Sequence, residues 1–212
     1  MAQEEQVLVV ERKVVEQEGL FQGLMFDVQR YVCRLFAAGV PRFLPRVQVE
    51  TDPSYKQIIP YVLMVHDGKY LNYVRGRRAG ETRLVGNRSM GIGGHINPRD
   101  DLPLFNVDFY ETYLAAVERE VDEEVLVKAG HEDRIVALLN DDSNPVGQVH
   151  LGIVHCWTLD APNVTRREQM ITQLAFLGRE ELHALRDSME TWSQLCLDEL
   201  DSIAERLKHP AP

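Results

Sequence analysis

Apolar positions along the chain change period several times, and each change marks an element. Val7 to Arg12 is β-branched and weakly alternating, which predicts a short strand followed by a polar turn around Glu18 and Gly19. Between Phe26 and Phe36 the period lengthens, with Phe26, Tyr31, Val32, Leu35 and Phe36 at helical spacing, a stripe that packing explains; Gly39 and Pro41 end that helix. Thr51-Asp52-Pro53-Ser54 reads as a loop, and as the boundary between an N-terminal extension (1–52) packed on a main domain and that domain (53–212). Gln57 to His66 and Lys69 to Arg75 are strand-like runs joined by Asp67-Gly68, a strong hairpin signal.

Ser89 to Ile96 holds three glycines and a histidine, a stretch where the backbone can bend sharply or approach a ligand. Asn97 to Phe105, with two prolines, predicts a surface loop or lid. Glu111 to Val125 is rich in Leu, Ala, Glu and Val without Pro or Gly, and reads as helix. Arg134 to Leu139 and Val146 to Leu159 read as strands around the polar turn Asn140 to Pro145. His150 and His155 then point to opposite faces and are not a metal pair. Ala161 to Met170 is a polar loop, Gln173 to Leu177 a short strand, and Arg179 to Lys208 a long amphipathic stretch of one or two helices. Strands, a loop, an acidic helix, more strands and a long helix predict an α/β fold, a mixed sheet with helices on both faces.

Composition narrows the partners. The 212 residues carry 33 acidic and 23 basic side chains, a net charge of -10, which argues against extended nucleic acid and anionic membrane surfaces. A small phosphorylated ligand stays compatible if cations cluster locally, as at Arg75, Arg77 and Arg78, where planar guanidinium forks suit phosphate oxygens. An exposed basic loop without that role is the alternative. Met1 to Gln6 lacks the basic start of a secretory signal and no apolar run is long enough to span a bilayer, so a cytoplasmic protein is expected. Three scattered cysteines indicate buried thiols rather than disulfides or a thiolate metal site.

On a helix, Glu120, Glu123 and Glu124 fall within roughly one 100° sector. Like charges at that spacing repel, and acids near a helix C-terminus oppose its macrodipole. A hard divalent cation, Mg2+ or Mn2+, offsets such a cluster, because it takes oxygen ligands, keeps several waters and joins carboxylates to phosphate oxygens. A solvated acidic face is the other reading of the same residues.

Wider spacing bears on that choice. Arg119-Glu120-Val121-Asp122-Glu123-Glu124 is preceded by Glu111, with seven residues between Glu111 and Arg119, and upstream stands Gly91-Ile92-Gly93-Gly94-His95. This resembles the signature of the Nudix hydrolase superfamily: a glycine, five residues, Glu, seven residues, Arg-Glu, an aliphatic, any residue, Glu-Glu, any residue, Gly, an aliphatic. Glu111, Arg119, Glu120, Val121, Glu123, Glu124 and Val127 match at the correct relative spacing. Two positions depart. Phe105 stands six before Glu111, where the glycine belongs, so with Gly94 as its counterpart eleven residues are inserted in the region of Asn97 to Tyr110. Leu126 replaces the glycine that would end the helix, which places the end nearer Gly130.

The resemblance covers Gln57 to Arg186 and implies a Nudix-like α/β/α sandwich with a mixed sheet, plus the N-terminal extension and a long C-terminal helical segment. It implies a Mg2+- or Mn2+-dependent pyrophosphohydrolase acting on a diphosphate linkage in a nucleoside diphosphate derivative or similar phosphorylated small molecule. Glu120, Glu123 and Glu124 would hold the metal, and Glu111 and Arg119 would form a salt link between loop and helix. Gly93, Gly94 and His95 would meet the substrate together with Arg75, Arg77 and Arg78. Glu123, Glu124 and Glu168, the last from a loop beyond the motif, are the candidates for catalytic carboxylates. Two other classes use such a scaffold. A non-hydrolytic diphosphate binder or sensor has no need of every acidic position, and a diphosphate-ester isomerase needs a cysteine near the glycine strand. The added N-terminal segment and long C-terminal helix are compatible with a homodimer.

Overall fold

The computed structural model describes residues 4–76, 86–100, 108–167 and 171–208. The chain opens with β1 (Gln6–Glu11), α1 (Arg12–Gly19), β2 (Gly23–Met25), α2 (Val28–Leu35), β3 (Arg42–Pro45) and α3 (Arg46–Val49). The middle holds β4 (Tyr55–His66), β5 (Lys69–Arg75), β6 (Arg88–Ser89), β7 (Gly91–Ile92), a 3-10 turn (Pro98–Asp100), α4 (Phe109–Glu124), β8 (Val125–Val127) and β9 (His131–Asn140). It closes with α5 (Pro145–Gln148), β10 (His150–Leu159), β11 (Val164–Arg166), β12 (Ile171–Leu177), α6 (Arg179–Ala184), a second 3-10 turn (Arg186–Ser188), α7 (Thr191–Asp198) and α8 (Leu200–Lys208). Two compact units are assembled from separate stretches: Met1–Pro60, Gly93–Arg119 and Ala137–Ile153 form one, and Tyr61–Ile92, Glu120–Val136 and Val154–Pro212 the other.

In the first unit β1 lies between β3 and β4. Val9, Val10 and Glu11 face Gln57, Lys56 and Tyr55, while Gln6 to Val9 face Pro45 to Arg42. Val7 and Val9, on one face of β1, are fully buried with Val49 beside Leu44 and Tyr55. β2 pairs with the end of β9. The polar turn expected at Glu18 and Gly19 is instead the end of helix α1, which buries Val14 and Val15. Those two valines extend the β-branched run of β1, so the sequence pattern hides the change of element. Tyr31 of α2 donates its hydroxyl to Gly19 O at 2.5 Å, where Gly19 takes a positive φ of 105°.

The polar turn before β10 contains the one-turn helix α5. Asn144 caps it, its Oδ1 accepting from Val146 N at 3.1 Å and Gly147 N at 2.9 Å, and Pro145 supplies the first helical residue. β10 therefore begins at His150 rather than at Val146. Alongside, the fully buried Lys56 donates Nζ to Asp142 Oδ1 (2.8 Å), Gly147 O (2.8 Å) and His150 O (3.2 Å). All three ammonium protons thus find acceptors. Arg12 forms a second ion pair with Asp142.

In the second unit the predicted hairpin is present. Val65 pairs with Tyr70 and His66 with Lys69, and Asp67 and Gly68 both take positive φ (48° and 72°), as a tight two-residue turn of this hand requires. β12 lies on the other side of β5, with β6 paired to β5 and β7 to β4. α4 ends at Glu124, not near Gly130. Val125 to Val127 form β8, antiparallel to β11 within the stretch expected as loop. A glycine end is unnecessary because the chain leaves the helix directly into a strand. The amphipathic stretch after Gly178 is three short helices and a 3-10 turn, with Met189 extended and bridged to Arg88. Trp192 meets the ring of Tyr61 edge-on at 5.5 Å, so its apolar periodicity serves packing across a break. Among the described residues no helix is long and apolar enough to cross a membrane.

Candidate active site

α4 buries Tyr113, Ala116, Val117 and Val121, which share one face at helical spacing. At 100° per residue Glu120 and Glu124 fall inside that inward sector, and both are half-buried. Glu123 lies on its flank and is exposed, while Glu111, Glu118 and Asp122 occupy the opposite, solvated side. Two carboxylates at i and i+4 on the apolar face of a helix are not a solvated acidic face. At that spacing they repel each other and are partly desolvated. Among the described residues no group of three or more His, Cys, Asp or Glu side chains gathers to hold a metal ion. Mg2+ asks for less, since one or two carboxylates completed by water and phosphate oxygens suffice, and the all-oxygen donors of Glu120 and Glu124 fit that demand.

One cation of the second unit is Arg75, at the end of β5. Its Nε donates to Glu190 Oε2 at 3.0 Å and its guanidinium lies 5.8 Å from the centre of the Tyr73 ring. Burial works against the Arg75 charge, yet the fields of Tyr73, Glu190 and Glu124 hold its pKa above the ordinary guanidinium value. Burial, with Glu124 next, likewise raises the pKa of Tyr73, whose hydroxyl donates to Gly91 O at 2.9 Å. Arg75 is thus electrostatically coupled to a carboxylate of the acidic helix. Arg77 and Arg78 lie outside the described residues, as does Glu168. The chain just before Glu168 approaches the helix end: Arg167 N donates to Glu124 O at 3.0 Å, and the Arg167 side chain pairs with Asp122 at 3.2 Å.

In the other unit, Arg119 does tie a loop to the helix, but not through Glu111. Glu111 and Arg119 stand eight positions apart along the helix, a rise of about 12 Å, and Glu111 is exposed. Arg119 reaches the loop at Asp100, 2% exposed at its side chain, which accepts from Arg119 Nε at 2.5 Å and Nη2 at 3.0 Å; Nη2 also donates to His95 O at 2.9 Å. Sequence reasoning missed Asp100, although it stands six residues after Gly94, the spacing at which the Nudix signature places its first acid. Counting forward from the glycine, rather than back from the arginine, finds it. The eleven extra residues then fall between Asp100 and Arg119, and 101–107 lie outside the described residues.

Gly93 and Gly94 are half-buried in an irregular stretch, and His95 turns its ring to His150, with Nε2 to Nε2 at 3.4 Å. His150 Nδ1 lies 2.7 Å from Val146 O, a contact in which it can only donate. Burial first, then Arg46 and His150, depress the His95 pKa to about 3, so this ring is neutral at physiological pH. In the second unit His155 engages Asp133 at 2.8 Å.

The inward acidic helix, the glycine strand before it and the buried first acid of the signature define a class. The chain belongs to the Nudix hydrolase superfamily, and its fold is the α/β/α sandwich with a mixed sheet. Its particular kinship is with Protein YmaB of Bacillus subtilis (strain 168), 32% identical over 207 residues, 93% of this chain and 98% of that one. Among solved structures it is similar to Tm1382, described as a candidate Nudix hydrolase: 28% identical, TM-score 0.74, covering 92% of this chain and 98% of that chain. DR0079 from Deinococcus radiodurans, 17% identical with TM-score 0.53 over 77% of this chain and 94% of its own, shares the fold. No protein-family model matches the sequence.

Proposed function

We propose that the protein is a Mg2+- or Mn2+-dependent pyrophosphohydrolase that cleaves a diphosphate linkage in a nucleotide-like small molecule. One observation carries this reading: Glu120 and Glu124 sit half-buried four residues apart on the packing face of α4, a pair of oxygen donors of the kind that Mg2+ takes together with phosphate oxygens. Glu120 and Glu124, with Glu123 on the flank, would hold the ion. When bound, a divalent ion lowers the pKa of water and neutralises charge on phosphoryl oxygens. A carboxylate among Glu123, Glu124 and Glu168 takes the proton of the attacking water as its oxygen bonds to phosphorus and the bridging P–O bond breaks. Arg75, with Arg77 and Arg78, offers fixed positive charge to the departing phosphate.

The isomerase reading loses support from the cysteines. Burial pushes the Cys156 thiol up to about 12 and raises that of Cys196 as well, while Cys33 lies exposed on α2, accepting from Gln29 at 3.0 Å. The decisive experiment is a panel of nucleoside triphosphates, nucleotide sugars, ADP-ribose and dinucleoside polyphosphates with Mg2+ or Mn2+, following phosphate, pyrophosphate and nucleoside monophosphate separately. Glu123→Gln and Glu124→Gln are each expected to lower turnover by about 100-fold or more without changing the circular dichroism spectrum. Full activity in both variants refutes the assignment, and binding without product from any compound favours the non-hydrolytic sensor.

A further inference from the structure

Glu190 belongs to no motif, yet it is 8% exposed and ionically paired inside the second unit. Its Oε2 accepts from Arg75 Nε at 3.0 Å, and its Oε1 accepts from Ser89 Oγ at 2.5 Å and Tyr61 OH at 3.3 Å. Ser193 completes the group, its Oγ 2.8 Å from Tyr61 OH and accepting from Met90 N at 2.8 Å. Glu190 N donates to Arg88 O at 3.0 Å, so the segment that carries the carboxylate is itself fixed to β6. A buried ion pair is an expensive way to join strands to a helix, since apolar residues of similar volume do so at least as well. What a carboxylate adds is control over its cation. Held at Nε, a guanidinium cannot rotate freely about its stem, and its terminal nitrogens still offer the planar donors that suit phosphate oxygens.

We propose that Glu190 is a positioning residue for diphosphate hydrolysis, fixing the plane of Arg75 so that its terminal nitrogens meet a substrate phosphate. This rests on the pyrophosphohydrolase reading and names a residue that the Nudix signature does not contain. The coupling of Arg75 to both Glu190 and Glu124 supports it, because one cation then links the second-unit network to the acidic helix.

A double-mutant cycle tests the claim. Glu190→Gln keeps an acceptor for Ser89 and Tyr61 but removes the charge facing Arg75, and Arg75→Ala removes the group being positioned. Each is expected to lower kcat/KM by about 10- to 100-fold, the scale of a misplaced catalytic group, and the double variant to fall no further than Arg75→Ala alone, within about twofold. A wild-type-like Glu190→Gln, or losses that multiply, overturns the proposal, since a structural role would act independently of Arg75. If Glu190→Gln fails to fold, Arg75→Lys decides: charge without the planar fork should lose as much as Arg75→Ala, and full activity sinks the idea. The same cycle is read in binding of α,β-methylene-ADP with Mg2+. Wild-type binding without turnover of any compound removes the hydrolase reading and leaves the cycle in Kd to judge Glu190. No binding by the wild type overturns both.

Discussion

Asp100 and Glu111 compete for one role, and helix geometry decides between them. Asp100 is buried and doubly bonded to Arg119, whereas Glu111 is exposed about 12 Å along the helix. Removing one partner of a buried charge pair leaves the other uncompensated, so Asp100→Asn is expected to cost about 3 kcal/mol in urea unfolding. Glu111→Gln should stay within about 0.5 kcal/mol, as exposed substitutions do. Equal effects at the two positions would return the salt link to Glu111. The lesson for reading the sequence is specific. The carboxylate was legible at the right distance from Gly94, but an aspartate replaces the glutamate and an insertion hid the count from the arginine side. The relative angles of Glu120, Glu123 and Glu124 were legible because helical periodicity fixes them, and the half-burial of Glu120 and Glu124 was not, because it depends on partners distant in sequence.

At the scale of elements, signals confined to a few neighbouring residues survived folding and signals that depend on distant partners did not. Asp67-Gly68 carries its own turn chemistry, so the β4–β5 hairpin appears where expected. β8 is a three-residue strand whose pairing, Val127 with Val164, arises far along the chain, and nothing local announces it. α5 shows the reverse case, where a glycine is dictated by its surroundings. A Cβ on Gly147 would stand 1.7 Å from Asp141 O, a backbone atom that cannot step aside. Gly147→Ala is therefore expected to destabilise by about 3 kcal/mol, measured by thermal or urea unfolding, and to loosen Lys56, which donates to the carbonyl of the same residue. A neutral substitution there would show that the turn can open without cost.

For the molecule as a whole, an acidic surplus of charge sets the background on which internal pairs act. Burial alone would raise the pKa of Asp142, but the hydrogen bonds from Arg12 and Lys56 outweigh it and hold it down to about 2. A folded-state pKa below the unfolded value near 4 contributes stability above that value, lost as pH falls through about 2. Urea midpoints taken between about pH 5 and pH 2 should thus fall more steeply for the wild type than for Asp142→Asn, which lacks the titrating group. Parallel profiles would mean that Asp142 titrates alike in both states. Class and acidic helix were legible from pattern and spacing alone, while the ion pairs that secure them are tertiary and were not.

The place of β1 has a consequence for how the chain can be shortened. Its residues occupy the hydrogen-bonding flank of β4, and Arg12, which follows directly, neutralises part of the charge beside Lys56. Trimming those first dozen residues would bare a rank of main-chain amides on β4, inviting another copy to zip onto it, and strip Asp142 of one counterion. What reads in one dimension as an N-terminal extension is, in three, a sealing strip.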